Sequence, residues 1–158
     1  MIRVLFVCHG NICRSPMAEF VFRDMAQRAG CADLFEVASA GTSAEELGNP
    51  VYPPVRRLLE GAGISCRGKR AYKLNKSDYD KYDLLICMEP YNVRNLMRII
   101  GTDPENKVHL LGEYGGENVD LSDPYYTGDY ETVWRGIHQT CQTLLETLLE
   151  ENKTHALG

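Results

Sequence analysis

The chain has 158 residues, 44% apolar and 25% charged, with a formal net charge of -5. That length suits a single domain, residues 1–158, with its own core, and the composition is that of an ordinary globular protein. The acidic balance argues against nucleic acid or an anionic membrane as partner. No apolar run approaches a membrane span and Met1–Val7 is too short for a secretory leader, so a cytoplasmic protein is expected.

Taken in order, M-I-R-V-L-F-V at Met1–Val7 reads as a buried strand, apolar and rich in β-branched residues. After the loop Cys8–Ser15, Pro16 suits a first helical turn, and Met17, Val21 and Met25 recur at helical spacing until the helix fades near Arg28–Gly30. Phe35–Ser39 reads as a second strand that turns off at Ala40–Ser43. Residues 44–54 form a loop rich in Glu, Gly and Pro, and Val55–Glu60 a short helix stopped by Gly61 and Gly63. Ile64–Leu74 is polar, basic and irregular.

The apolar stretch Asp83–Met88 predicts a third strand buried on both faces. Val93, Leu96, Met97 and Ile100 form the stripe of a helix packed on a sheet, and Val108–Leu111 is the fourth strand. Gly112–Gly128 reads as a long loop, of the kind that is often functional. In the last helix Val133, Trp134, Ile137, Cys141, Leu144, Leu145 and Leu148 share one face, and Lys153–Gly158 is expected to fray. Strands alternating with helices predict an α/β fold, a three-layer αβα arrangement around a four-stranded parallel sheet.

The chemistry concentrates in Cys8-His9-Gly10-Asn11-Ile12-Cys13-Arg14-Ser15. This loop joins a strand's carboxyl end to a helix's amino end, where open α/β sheets bind ligands and where unpaired N–H groups favour an anion. Cys8 supplies a thiol that the helix end and Arg14 favour as thiolate, which makes it the candidate nucleophile. Arg14 offers a planar fork matched to two phosphate oxygens. Gly10 and Asn11 are the residue types best able to take positive φ, letting the N–H groups from His9 to Cys13 converge on one tetrahedral oxyanion. Ser15 is suited to cap the helix and to offer its hydroxyl to the sulfur.

Cleaving a phosphate ester also needs an acid for the leaving oxygen. Asp120 and Asp123 in D-L-S-D-P-Y-Y are the candidates. Asp123 is preferred because a rigid Pro follows it and Tyr125 and Tyr126 could flank an aryl group. The six cysteines include no C-x-x-C and the four histidines are scattered, so neither a disulfide framework nor zinc is expected.

The motifs C-H-G-N-I-C-R-S-P-M-A-E, S-A-G-T at Ser39–Thr42, C-M-E-x-x-N at Cys87–Asn92 and D-P-Y-Y at Asp123–Tyr126 span nearly the whole chain. With them the chain resembles the low-molecular-weight protein tyrosine phosphatases. The resemblance implies a four-stranded parallel sheet, no metal, no cofactor, a phosphotyrosine protein as substrate, inorganic phosphate as product, and a monomer. It also implies that Cys8 forms a phosphocysteine while Asp123 acts first as acid and then as base, and that Cys13 can trap Cys8 as a disulfide under oxidation.

Three departures from the family pattern bear on specificity and support. Ala44-Glu45-Glu46 stands where many relatives carry a wall Trp. Lys69 and Tyr72 stand where many have His and Arg, and Glu89 stands where Asp is common.

Rival readings start from the same Cys loop or the same scaffold. Phosphoarginine phosphatases tend to have Thr at the position of Ile12, whose branched apolar side chain suits an aryl ring better. Thioredoxin-linked arsenate reductases need two further cysteines close together near the third strand, where this chain has Cys87 alone, with Cys66 far upstream. A phosphopeptide-binding module could dispense with Cys8 and Asp123, and sugar-transport phosphocarriers lack the pairing of Arg14 with Asp123.

Overall fold

The computed structural model describes residues 1–116 and 119–157, the last three by backbone alone. Four parallel strands, β1 (Ile2–Cys8), β2 (Phe35–Gly41), β3 (Leu84–Cys87) and β4 (Val108–Leu110), lie in the order β2-β1-β3-β4. The expected strand count and direction hold, and β2 runs on to Gly41, opposite Cys8.

The sheet is covered on both faces because β1 is apolar on both. Val4 and Phe6 point into a core shared with α1 (Arg14–Arg28) and α6 (Tyr130–Leu157), while Leu5 and Val7 point into a second core beneath α4 (Pro90–Ile100). The two-residue period of a strand divides the layers. Helix α1 is buried on every side from Arg14 to Phe22, and the apolar face of α6 closes over it: Val133, Ile137, Cys141, Leu144, Leu145 and Leu148 are buried as expected. Trp134 is only half-buried and packs its ring on His138, with centroids 4.3 Å apart.

Short elements depart from the sequence reading. Helix α2 covers Pro53–Gly61, and a four-residue helix, α3 (Asp78–Lys81), precedes β3. The stretch 112–128 is not free of structure. A 3-10 turn at Leu111–Tyr114 opens it, anchored by the fully buried Leu111, and α5 (Pro124–Thr127) closes it. Asp123 caps α5 through Tyr125 N–H at 3.0 Å, Pro124 starts the helix, and Gly128 ends it with φ 74°. Residues 117 and 118 of that stretch lie outside the described residues. The end of the last helix does not fray at Lys153 but continues to Leu157. Among the described residues no helix is long and apolar enough to cross a membrane.

Candidate active site

The loop from His9 to Cys13 sits over the carboxyl end of β1, and Cys8 is the last residue of that strand, 4% exposed. Asn11 takes φ 60°, turning its N–H back to within 3.3 Å of the Cys8 sulfur. Gly10 does not adopt positive φ, contrary to expectation. Its missing side chain instead admits Glu46, whose Cγ would lie 3.3 Å from a Cβ at position 10. Gly41 at the end of β2 is required by proximity, since a Cβ there would lie 2.7 Å from the His9 carbonyl oxygen.

The cap position of α1 falls on Cys13, so Ser15 is not the helix cap. It lies within the first turn, fully buried, with its oxygen 2.8 Å from the Cys8 sulfur. The Asn11 amide nitrogen donates to Ser15 at 2.8 Å and to the Ser39 hydroxyl at 2.9 Å, while Tyr72 N–H donates to Asn11 Oδ1 at 2.9 Å and so fixes the amide's orientation. Ser39 in turn donates to the buried Glu19 at 2.6 Å. Lys69 completes the support by donating to the Ser39 carbonyl at 3.0 Å and pairing with Glu19 at 3.4 Å. A backbone N–H at Tyr72 and the ammonium of Lys69 thus buttress the loop at the positions where the family pattern differs. The Tyr72 hydroxyl is spent on Asp78 at 2.9 Å, and burial followed by that bond pushes it up to about 12.

Arg14 is 2% exposed. Its guanidinium donates to the Leu121 carbonyl at 3.0 Å and to Glu89 at 2.9 Å, and stands 3.5 Å from Asp123 Oδ2. Each terminal nitrogen carries two hydrogens, so these contacts orient the fork without exhausting it. They also tie the stretch that carries Asp123 to the loop. The two aspartates separate clearly. Asp123 lines the cleft with Cys8, whereas Asp120 is absent from its lining and is held below the usual carboxylate range by hydrogen bonds from Ser122.

The cleft has a volume of about 230 Å3, and Cys8, Ile12, Arg14, Asp123, Tyr125 and Tyr126 are among the residues that line it. The two tyrosines meet edge to face at 5.3 Å, with Tyr126 83% exposed, and Tyr52 stands 6.1 Å from Tyr125. Glu45 and Glu46 line it as well, Glu45 approaching His9 at 3.4 Å and Glu46 accepting from Asn49 at 2.7 Å.

Cys13 also lines the cleft but is buried. Burial first, then the charges of Cys8 and Asp123, push its thiol up to about 12. Among the described residues no cluster of His, Cys, Asp or Glu is arranged to hold a metal ion.

Sequence reasoning did not assign roles to Glu19, Ser39, Tyr52 or the Leu121 carbonyl. The signal for Glu19 was present as an acidic residue in the buried turns of α1. The Leu121 carbonyl has no side-chain signature at all.

A family model for low molecular weight phosphotyrosine protein phosphatase matches residues 3–154. The chain is 37% identical over 155 residues to the low molecular weight protein-tyrosine-phosphatase YfkJ of Bacillus subtilis, covering 97% of this chain and 99% of that one. It is also 37% identical over 148 residues to the human low molecular weight phosphotyrosine protein phosphatase, covering 90% and 93%. The crystal structure of YfkJ superposes with a TM-score of 0.91 over 96% of both chains.

Proposed function

Since the chain belongs to the low molecular weight phosphotyrosine protein phosphatase family, we propose that it hydrolyses phosphotyrosine in proteins through Cys8, Arg14 and Asp123. The observation that carries this reading is the convergence of those three side chains on one cleft, with Asp123 3.5 Å from the Arg14 fork. The Cys8 thiolate attacks phosphorus and forms the S–P bond as the P–O bond to the phenol breaks. Asp123 gives its proton to the departing oxygen. Arg14 and the loop N–H groups hold the equatorial oxygens, whose charge they match best in the transition state. Asp123, now a carboxylate, takes a proton from water as that water attacks phosphorus, releasing inorganic phosphate and the Cys8 thiolate.

His9, Gly10, Asn11, Ile12, Cys13 and Ser15 bind and orient the phosphate, and Tyr125 and Tyr126 flank the aryl ring. The reading carries with it a monomeric, cytoplasmic enzyme and a Cys13 that closes a disulfide onto oxidised Cys8.

The branched apolar Ile12 in the cleft supports an aryl substrate over phosphoarginine. A relay of the arsenate-reductase kind finds little support, because Cys87 is fully buried and Cys66 lines a different cavity. The test is a panel of phosphotyrosine, phosphoserine and phosphoarginine peptides with and without EDTA. Phosphotyrosine is expected to be hydrolysed fastest and EDTA to have no effect. Preference for phosphoarginine, or loss of activity in EDTA, contradicts the reading.

A further inference from the structure

Apart from Lys69 and Tyr72, which support the phosphate loop, the basic stretch has no part in this chemistry. Seven of the 17 lysines and arginines, Arg56, Arg57, Arg67, Lys69, Arg70, Lys73 and Lys76, fall between residues 56 and 76, where Glu60 is the only acidic residue. In an acidic protein that is a strong local segregation of charge.

The fold draws Arg56, Arg67, Lys69 and Arg70, with Glu60 and Cys66, around a cavity of about 420 Å3 that shares no residue with the catalytic cleft. Two of the cations are already committed: Arg56 pairs with Glu60 at 2.8 Å, and Lys69 with Glu19 and the Ser39 carbonyl. Arg67 and Arg70 are exposed, and among the described residues neither has a carboxylate within 4.0 Å.

The backbone that presents them is pinned. Arg70 bridges Pro50, Ala71 N–H donates to Asn49 at 2.8 Å, and Gly68 turns at φ 86° between the two arginines. A concave wall with two uncommitted guanidinium forks is arranged for an anion, because each fork matches two oxygens of one phosphate. Among the described residues no aromatic ring lines the cavity, so charge rather than stacking selects the ligand. Its volume falls in the range of roughly 300–1,000 Å3 typical of small-molecule sites.

We propose that this cavity is a second anion site, which binds a small polyanion carrying two or more phosphate groups through Arg67 and Arg70. It can be filled while the catalytic cleft is occupied. The test is calorimetric titration of tripolyphosphate into enzyme whose cleft is saturated with vanadate. Vanadate inhibition is measured first, so a failure of the catalytic reading shows up separately.

One binding site is expected. Arg67→Ala/Arg70→Ala is expected to weaken it by about tenfold or more, since charge-assisted hydrogen bonds are lost. Arg98→Ala/Arg135→Ala, two exposed arginines outside the cavity, is expected to leave it intact. Absence of binding to the blocked wild type, or equal weakening in both double variants, overturns the proposal.

Discussion

The Ser15 oxygen lies 2.8 Å from both the Cys8 sulfur and the Asn11 amide nitrogen. Tyr72 N–H holds Asn11 Oδ1, so the amide can only donate to Ser15, and the one hydroxyl proton of Ser15 is free to point at the sulfur. The Ser15 hydroxyl is thus placed to donate to the Cys8 sulfur, the bond that a thiolate nucleophile and leaving group calls for.

Ser15→Ala removes that donor while leaving a small buried residue in α1. Hydrogen bonds to charged groups contribute about 1.5–3 kcal/mol, so kcat is expected to fall by roughly ten- to a hundredfold. KM should change little. The thiolate is also the leaving group of the second step, so a burst of phenol should precede a slower steady state. Unchanged steady-state and burst kinetics would mean that the hydroxyl does not serve the sulfur.

Asp123 is expected to matter in proportion to the basicity of the leaving group. Asp123→Asn should slow phosphotyrosine cleavage by about 10²–10⁴-fold and largely spare cleavage of esters of very acidic phenols. Stopped-flow release of the phenol measures that step. Equal losses on both ester types would assign Asp123 to structure alone.

Much of this site is legible in the sequence because it is local there. Cys8 and Arg14 are separated by five residues, and a strand followed by a helix leaves that loop one place to go. β1 and α6 are equally legible, since long periodic segments declare their buried faces. The support beneath the loop is not. Glu19, Ser39, Lys69 and Tyr72 come together only when β2 pairs with β1 and the basic stretch folds along its edge. The four-residue helices α3 and α5 are too short to show a period. Gly10 differs from expectation because the close approach of Glu46 is a tertiary fact, and Ser15 meets the sulfur as expected but is not the cap, since the helix already starts after Cys13.

Cys13 gives the pH-dependent prediction. After peroxide converts Cys8 to a sulfenic acid, the Cys13 thiolate must attack that sulfur and expel hydroxide, which takes a proton from solvent. Burial, the first cause of the raised Cys13 pKa, persists after Cys8 is oxidised, so the thiolate is the minor form throughout the neutral range. Disulfide closure should accelerate with pH by about tenfold per unit across the neutral range. Cys13→Ser should lose activity irreversibly at every pH. A closure rate flat with pH, or full recovery of Cys13→Ser by thiol reductant, would remove Cys13 from this role.

Glu45 and Glu46 add negative charge to the lining of a cleft that also holds the Arg14 cation. Phosphotyrosine peptides with Lys or Arg beside the tyrosine should be favoured in kcat/KM over acidic-flanked ones. Exposed pairs contribute only ~0.2–1 kcal/mol, so the preference should be modest and shrink as salt rises. Glu45→Lys with Glu46→Lys should reverse or abolish it. A matched peptide pair at low and high ionic strength measures this, and a preference insensitive to salt would place its origin elsewhere.

The central claim is that the phosphoryl group passes through sulfur at Cys8. Rapid quench of the wild type with a radiolabelled phosphotyrosine peptide, followed by peptide mapping, tests it directly. Label is expected on the Cys8 peptide before free phosphate accumulates, with a folded Cys8→Ser protein showing neither label nor turnover. Label on another residue, or substantial turnover by Cys8→Ser, would contradict it.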